Sequence, residues 1–412
     1  VTTQPSLGLR RHLADWAGAL AERDFRMLFL ARSSSLVGDY VAQIAVAFAV
    51  LERSGSSGDL GLVLAARTAP LVLLTAAGGV WADRLPRQRV MMGADLLCCA
   101  AQAALAVLVI SGGAEIWHFV VLQALVGTGL AFFRPAATGV TPGTVSPARL
   151  QQANGLLFLS QNVMFVVGPA LGGVLVAGVG TGTAIAVDAG TFAASAAFLA
   201  LVRAPLGLRE GARESFRHEL AAGWREVTSR RWLWTGILDY AAFQLVVLGT
   251  FFVLGPTIAQ RDLGGAGAWA AVISATGVGA IAGAVVSLRW RPARPLAVCF
   301  GLLVAWGAPL LALGLGAPTA LVAAAGVPAG FALSLSGTLW ETTLQRQIPE
   351  QSLSRVSAYD WMGSTTLRPL GYVVVGPIAA AIGLHATLIA ATVALVAATA
   401  ATLAVPDMRR RA

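Results

Sequence analysis

The chain has 412 residues, of which 57% are hydrophobic and only 12% charged, and its mean hydropathy is +0.73. That composition excludes a soluble domain with a solvated charged surface, and continuous apolar runs of about 20 residues exclude the short alternating segments of a β-barrel. The net charge of +9 comes from 29 arginines with no lysine; most of them fall in short loops on one side of the apolar runs, which is a topology signal and not a nucleic-acid surface.

In chain order, an amphipathic lead-in around Arg10 to Arg26 precedes a first span at about Phe25 to Leu51. Hydropathy then predicts spans near 58–82, 88–111, 116–140, 150–177, 182–203, 232–259, 267–289, 295–315, 318–341, 353–382 and 385–405. The expected fold class is therefore an all-α polytopic membrane protein with twelve transmembrane helices in two pseudo-symmetric six-helix bundles. The start of the chain is too polar for a cleaved secretory signal, so the first run reads as a retained span. Arginines crowd both ends of the chain and alternate loops, whereas the opposite loops hold only Arg53 and Arg261. Both termini are accordingly expected in the cytoplasm of a multi-pass protein of the plasma or inner membrane.

Residues 1–203 and 232–412 form the two expected bundles. The connection 204–231 is a linker in which Phe216, Leu220, Trp224 and Val227 recur at helical spacing against Arg217, Arg225 and Glu226, predicting an interfacial helix on the cytoplasmic surface. The halves echo each other. Leu150 and Leu353 are 203 residues apart, as are Gly168 and Gly371, and the same shift carries Gly79 beside Gly283 and Arg87 between Arg289 and Arg291. Internal repetition of this kind marks a transporter assembled from repeats.

The ionisable residues within spans narrow the chemistry. Asp39 sits near the middle of span one, where an ionised carboxylate must be protonated, paired or exposed to a wet cavity. It is a candidate proton-coupling group with Gln43 one turn on, and a static pair with Arg67 or Arg32 is the competing reading. Asp239 in span seven opens Asp239-Tyr240-Ala241-Ala242, which resembles Asp39-Tyr40-Val41-Ala42, so two carboxylates could face one cavity. Gln123, Tyr240, Gln244, Phe133 and Trp340 are candidate cavity residues. Arg368 deep in span eleven needs a partner, and a structural pair with Asp360 is the expectation; Arg134 and Glu341 lie where they can snorkel. His118 and His385 fit interface anchors, and Cys98, Cys99 and Cys299 fit small buried hydrophobes. No metal-ligand spacing, nucleotide-binding loop or catalytic constellation occurs, so neither an enzyme nor a cofactor is expected.

Four stretches carry a family resemblance. Gly79-Val80-Trp81-Ala82-Asp83-Arg84-Leu85-Pro86-Arg87 joins spans two and three; Gly168-Pro169-Ala170-Leu171-Gly172-Gly173-Val174-Leu175 lies in span five; Gly38-Asp39 and Arg67 to Pro70 lie in spans one and two. Over nearly its whole length the chain resembles the major facilitator superfamily, most closely the drug and siderophore exporter branch. Pro86 stands where that family usually has glycine, Met164 replaces a leading glycine of the span-five motif, and Gln123 occupies a position where span four often carries an arginine.

The resemblance implies alternating access, with substrate bound near the midplane by spans one, four, seven and ten, and it associates Gly168, Pro169, Gly172 and Gly173 with antiport. Asp83, Arg84, Arg87 and Arg89 fit an ion-paired latch between helix ends, with Gly79 allowing close approach and Asp95 a structural partner of the arginines; arginines that only fix topology are the alternative. The function read from all this is proton-coupled export of a small amphipathic or hydrophobic molecule by a monomer whose partners are its substrate, protons and the bilayer. An importer or uncoupled facilitator of the same fold stays open, as does a non-transporting membrane receptor.

Overall fold

A computed structural model describes residues 18–203 and 224–409; within helices, residues 76, 79, 80, 82–84, 350, 351, 354, 355 and 358 are described by backbone alone. Among the described residues the structure is helical, with twelve helices long and apolar enough to cross a membrane. This follows from the solvent, because in hydrocarbon each backbone N–H and C=O must be paired within its own segment. The helices are α1 (Arg23–Ser54), α2 (Ser57–Arg84), α3 (Arg87–Ile110), α4 (Ile116–Thr144), α5 (Leu150–Val179) and α6 (Thr181–Ala200), then α7 (Arg231–Leu263), α8 (Ala266–Ser287), α9 (Pro295–Gly314), α10 (Thr319–Gln347), α11 (Tyr359–Ile382 as a span) and α12 (Leu384–Ala404).

Three helices depart from the expected uniform spans. Helix α9 includes a 3-10 segment at Leu303–Trp306. Helix α7 passes through two wide-turn π segments, Gln244–Leu248 and Ala259–Leu263. Helix α11 is entered from Glu350–Thr365 and resumes at Arg368–Ile382. Pro369 accounts for that break, since its ring clashes with the carbonyl one turn back and it offers no N–H. The Phe216 and Leu220 part of the expected interfacial helix and the lead-in before Gly18 lie outside the described residues. Of the two described members of its apolar face, Val227 is buried with Leu233, Ile237 and Leu344, and Trp224 is exposed.

Contacts divide the chain into two compact units, Val1–Ala45 with Leu73–Glu210 and Val46–Val72 with Gly211–Ala412. In the first unit α3 packs against both α4 and α6, and a polar chain is buried there. Gln102 Nε2 donates to Asp188 Oδ2 at 2.5 Å, and Gln123 Nε2 donates to Gln102 Oε1 at 3.0 Å. Two turns along the same α3–α6 seam, Ser195 Oγ donates to Asp95 Oδ2 at 2.6 Å. At the end of the unit Glu22 accepts from Ser146 Oγ at 2.7 Å and from Arg149 at 3.3 Å, and these donors, the serine foremost, hold its carboxyl below the usual carboxylate range. In the second unit α8 and α10 form the most extensive helix pair, and α2 approaches α11 so closely that a Cβ at Gly376 would lie 2.5 Å from the Gly58 Cα.

The 203-residue echo is carried in backbone geometry. Gly180 turns the chain from α5 into α6 at φ 85°, ψ 163°, and Gly383 turns it from α11 into α12 at φ 92°, ψ 154°. Only glycine occupies that region without strain. The packing repeats as well: a Cβ at Gly168 would overlap Tyr40 of α1, and one at Gly371 would overlap the Leu245 carbonyl of α7. Gly78 likewise sits on the Ala131 carbonyl of α4, and Gly283 on the Phe331 carbonyl of α10. Gly180→Ala and Gly383→Ala should each cost about 1–3 kcal/mol and lower the thermal unfolding midpoint of the purified protein. Gly178→Ala, two residues away with open space around it, should leave the midpoint unchanged; equal effects at all three would contradict the backbone argument.

Candidate functional site

Two cavities concentrate the polar chemistry, one in each unit. The first, of about 370 Å³, is lined by Arg32 and Asp39 of α1, Asp95 of α3, Phe133 and Arg134 of α4, and Ser160 of α5. Arg32 and Asp39 are seven residues apart, two helical turns, and so share one face of α1. Ser33 and Ser160 hydroxyls meet at 2.8 Å and tie α1 to α5 at the cavity wall. Two carboxylates and two guanidiniums therefore face one cavity with formally balanced charge, an arrangement that lets a carboxylate sit at membrane depth.

The wall that positions Asp39 is fixed on both sides. Gly38 precedes it where a Cβ would overlap Asp188 and Thr191 of α6, and Tyr40 follows it against Gly168 of α5. Gly172 brings α5 close again, its Cβ position lying 3.1 Å from the Val41 carbonyl oxygen. Gly173 and Pro169 are buried in the same helix. The span-five motif thus acts through small volume, letting two backbones meet with Asp39 held between them.

The second cavity, of about 300 Å³, draws Tyr240 and Gln244 from α7, Phe300 from α9, Trp340 and Glu341 from α10, and Asp360 from α11. Trp340 Nε1 donates to Asp360 Oδ2 at 3.0 Å, and Ser364 Oγ reaches Asp360 Oδ1 at 3.4 Å. The Trp340 ring meets Phe300 edge-on at 5.6 Å and Trp232 at 5.8 Å, and it fits only because Gly236 has no Cβ. Gln244 is 4% exposed and its Oε1 is buried without a partner among the described residues, at the start of the π segment that redirects α7. Two acids and several aromatic faces line this cavity, and no basic residue does among the described residues, which suits a cation with apolar surface.

Several expected roles are revised by this geometry. Gln123 is 1% exposed and belongs to the Gln102–Asp188 chain, so it is buried structure and not cavity wall. Asp239 turns to α12, where Thr402 Oγ1 donates to it at 2.5 Å, and it does not join a shared cavity with Tyr240. Arg368 and Asp360 do not pair: Arg368 Nε donates to Tyr372 Oη at 2.8 Å and the guanidinium stacks near Phe252, because the break before Arg368 takes it off the face of Asp360. Asp95 is held by Ser195 and lines the cavity, away from the role of partner to the loop arginines. Cys99 is half-buried where full burial was expected, whereas Cys98 and Cys299 are buried. Gln43 and Arg67 are half-buried and line neither cavity.

At the turn between α2 and α3, the side chains of Gly79, Asp83 and Arg84 lie outside the described residues. Arg87 Nη1 donates to the Gly139 carbonyl of α4 at 2.7 Å, Gln88 Nε2 donates to Leu199 and Val202 carbonyls at the end of α6, and Arg89 is exposed. Sequence reasoning missed Gln88, and it missed Arg134 and Glu341 as cavity residues; nothing in local spacing distinguishes a snorkelling end residue from one turned inward. Among the described residues no group of three or more His, Cys, Asp or Glu is placed to hold a metal ion.

Comparison with known proteins agrees with this architecture. The family described as transmembrane secretion effector matches residues 14–411. The chain is 26% identical over 403 residues to the multidrug efflux pump Tap of Mycolicibacterium fortuitum, covering 93% of this chain and 96% of that protein. It is 26% identical over 231 residues to macrolide efflux protein A of Streptococcus pyogenes, covering 56% and 55%. Among solved structures, the nucleoside transporter NupG superposes with TM-score 0.73 at 11% identity over 92% of this chain and 98% of that one. A bacterial homologue of the lysosomal transporter Spinster superposes with TM-score 0.70 at 16% identity over 93% and 96%. By the match across nearly its full length, the chain belongs to the transmembrane secretion effector family of the major facilitator superfamily, a family of transporters and not of enzymes.

Proposed function

We propose that the protein is a secondary active exporter of small amphipathic molecules, moving them by alternating access in exchange for protons. The observation that carries this reading is the placement of Asp39: mid-span, open to a cavity, flanked by Arg32 and Arg134, and set between glycine contacts to α5 and α6. A carboxylate so placed can load and release a proton as the cavity changes its access, and the flanking guanidiniums keep the charged form tolerable at that depth. The efflux pumps among its relatives favour export over uptake. In this reading the two halves are residues 1–203 and 232–412 joined by the 204–231 linker, the termini are cytoplasmic, the protein sits as a monomer in the cell membrane, and Asp83, Arg84, Arg87 and Arg89 steady the cytoplasmic helix ends.

The aromatic and acidic cavity of the second unit supports a substrate with a cationic centre and apolar bulk, as in many antibiotics and natural products. Asp360, oriented by Trp340 and Ser364, is the counter-ion in this reading, and Gln244 supplies an acceptor that has no donor among the described residues.

Asp39→Asn should abolish pH-gradient-driven uptake into inside-out proteoliposomes, by about a hundredfold, while leaving substrate counterflow without a gradient within a few-fold of wild type. Unchanged gradient-driven transport would remove Asp39 as the coupling group. Asp360→Asn should weaken transport of a fluorescent amphipathic cation by about tenfold and leave a neutral analogue nearly unaffected. An equal loss for both compounds would assign Asp360 to structure alone.

A further inference from the structure

The repeat that places Arg87 opposite Arg289 and Arg291 brings out a difference between the two units. In the first, two of the corresponding loop side chains are satisfied inside the protein, Arg87 by the Gly139 carbonyl and Arg149 by Glu22 and the Gly18 carbonyl, while Arg89 is exposed. In the second, Arg289, Arg291, Arg294 and Arg346 are exposed, and their guanidinium groups make no hydrogen bond or ion pair among the described residues. Between Asp262 and Glu350 the sequence holds a single acid, Glu341, and that residue lines the other cavity. Four arginines thus share one end of the second unit without a nearby described carboxylate to neutralise them.

These arginines do not stand on a flat surface. The C-terminal ends of α8 and α10 and the N-terminal end of α9 enclose a groove of about 390 Å³, with Arg291 and Arg346 in its lining beside Trp290 and Thr342. An apolar track leads up to it. Val278, Ile281, Val285 and Leu288 are spaced by three or four residues and so fall on one face of α8, with exposures of 52%, 38%, 59% and 76%. The track ends at the groove mouth, where Trp290 is 44% exposed, the position and residue type of a headgroup-level anchor.

We propose that this groove is a binding site for an anionic phospholipid. Arg291 and Arg346 fork onto the phosphodiester oxygens, as guanidinium geometry favours, and one acyl chain lies along the α8 track. Charge complementarity and the adjoining apolar stripe select a lipid over a soluble anion, which would use the arginines and leave the track empty. On the side proposed to face the cytoplasm, such a lipid would be drawn from the negatively charged leaflet. The site is independent of the export reading, because none of its residues lines either polar cavity.

The test is native mass spectrometry of the purified full-length protein in micelles containing equal amounts of phosphatidylglycerol and phosphatidylethanolamine of matched chain length. Wild type should retain phosphatidylglycerol by about tenfold over phosphatidylethanolamine. The double variant Arg291→Gln with Arg346→Gln should lose that preference, whereas Arg289→Gln with Arg294→Gln, which removes the same charge from outside the groove lining, should keep it. Equal loss in both double variants would reduce the effect to diffuse surface charge and overturn the site. So would an unchanged preference in the first variant, or complete displacement of the phosphatidylglycerol by millimolar inorganic phosphate.

Discussion

The close approach of α1 to α5 at Gly168 and Gly172 is the contact on which the first unit's cavity depends. Each glycine removes a side chain so that the backbone around Tyr40 and Val41 can come near. That fixes the rotation of α1, which in turn turns Asp39 and Arg32 toward Asp95 and Arg134. A single methyl group at Gly168 would collide with Tyr40 and displace the carboxylate that the cavity is arranged around. The same logic governs the second unit, where Gly371 admits α7 at Leu245 and Gly236 admits the Trp340 ring. Small residues here set the position of the charged and aromatic ones, as expected where helices gain little from hydrophobic exclusion and associate by close packing.

Duplication supplied one scaffold twice, and the two copies have separated in chemistry. Backbone devices are shared: the glycine turns at 180 and 383, the glycine-to-backbone contacts of α5 and α11, and those of α2 and α8. The cavities are not. One is charge-balanced with two acids and two arginines; the other is acidic and aromatic. The loop arginines diverge in part: Arg87 and Arg149 are internally bonded in the first unit, whereas Arg289, Arg291, Arg294 and Arg346 are unpaired among the described residues of the second. In the function proposed above, the charge-balanced cavity would serve reversible proton binding and the acidic aromatic one a cationic guest.

Much of this was legible in the sequence because the bilayer imposes simple rules. Span number and approximate limits follow from hydrocarbon thickness, and the 203-residue echo from conserved spacing of Leu150, Leu353, Gly168 and Gly371. Asp39, Phe133, Tyr240, Gln244 and Trp340 were picked out by being polar or aromatic within spans, and each lies on a cavity. What spacing does not encode is which way a helix is rotated and where it breaks. Asp239 stands out by its Asp-Tyr echo of Asp39 and Arg368 by its depth, and helix rotation gives them to Thr402 and Tyr372 instead. Gln102 and Asp188, 86 residues apart, pair only through the packing of α3 on α6. The break in α11 was written in Pro369, yet its consequence for Arg368 required the path of the chain on both sides.

The central proposal is that substrate transport is coupled to proton release from Asp39. It is tested most directly by following proton release when substrate is added to the purified protein in weakly buffered detergent solution with a pH-sensitive dye. Wild type should release about one proton per substrate bound, Asp39→Asn should release none while still binding substrate, and Asp95→Asn should behave as wild type. Release from the Asp39→Asn protein equal to that of wild type would contradict the account.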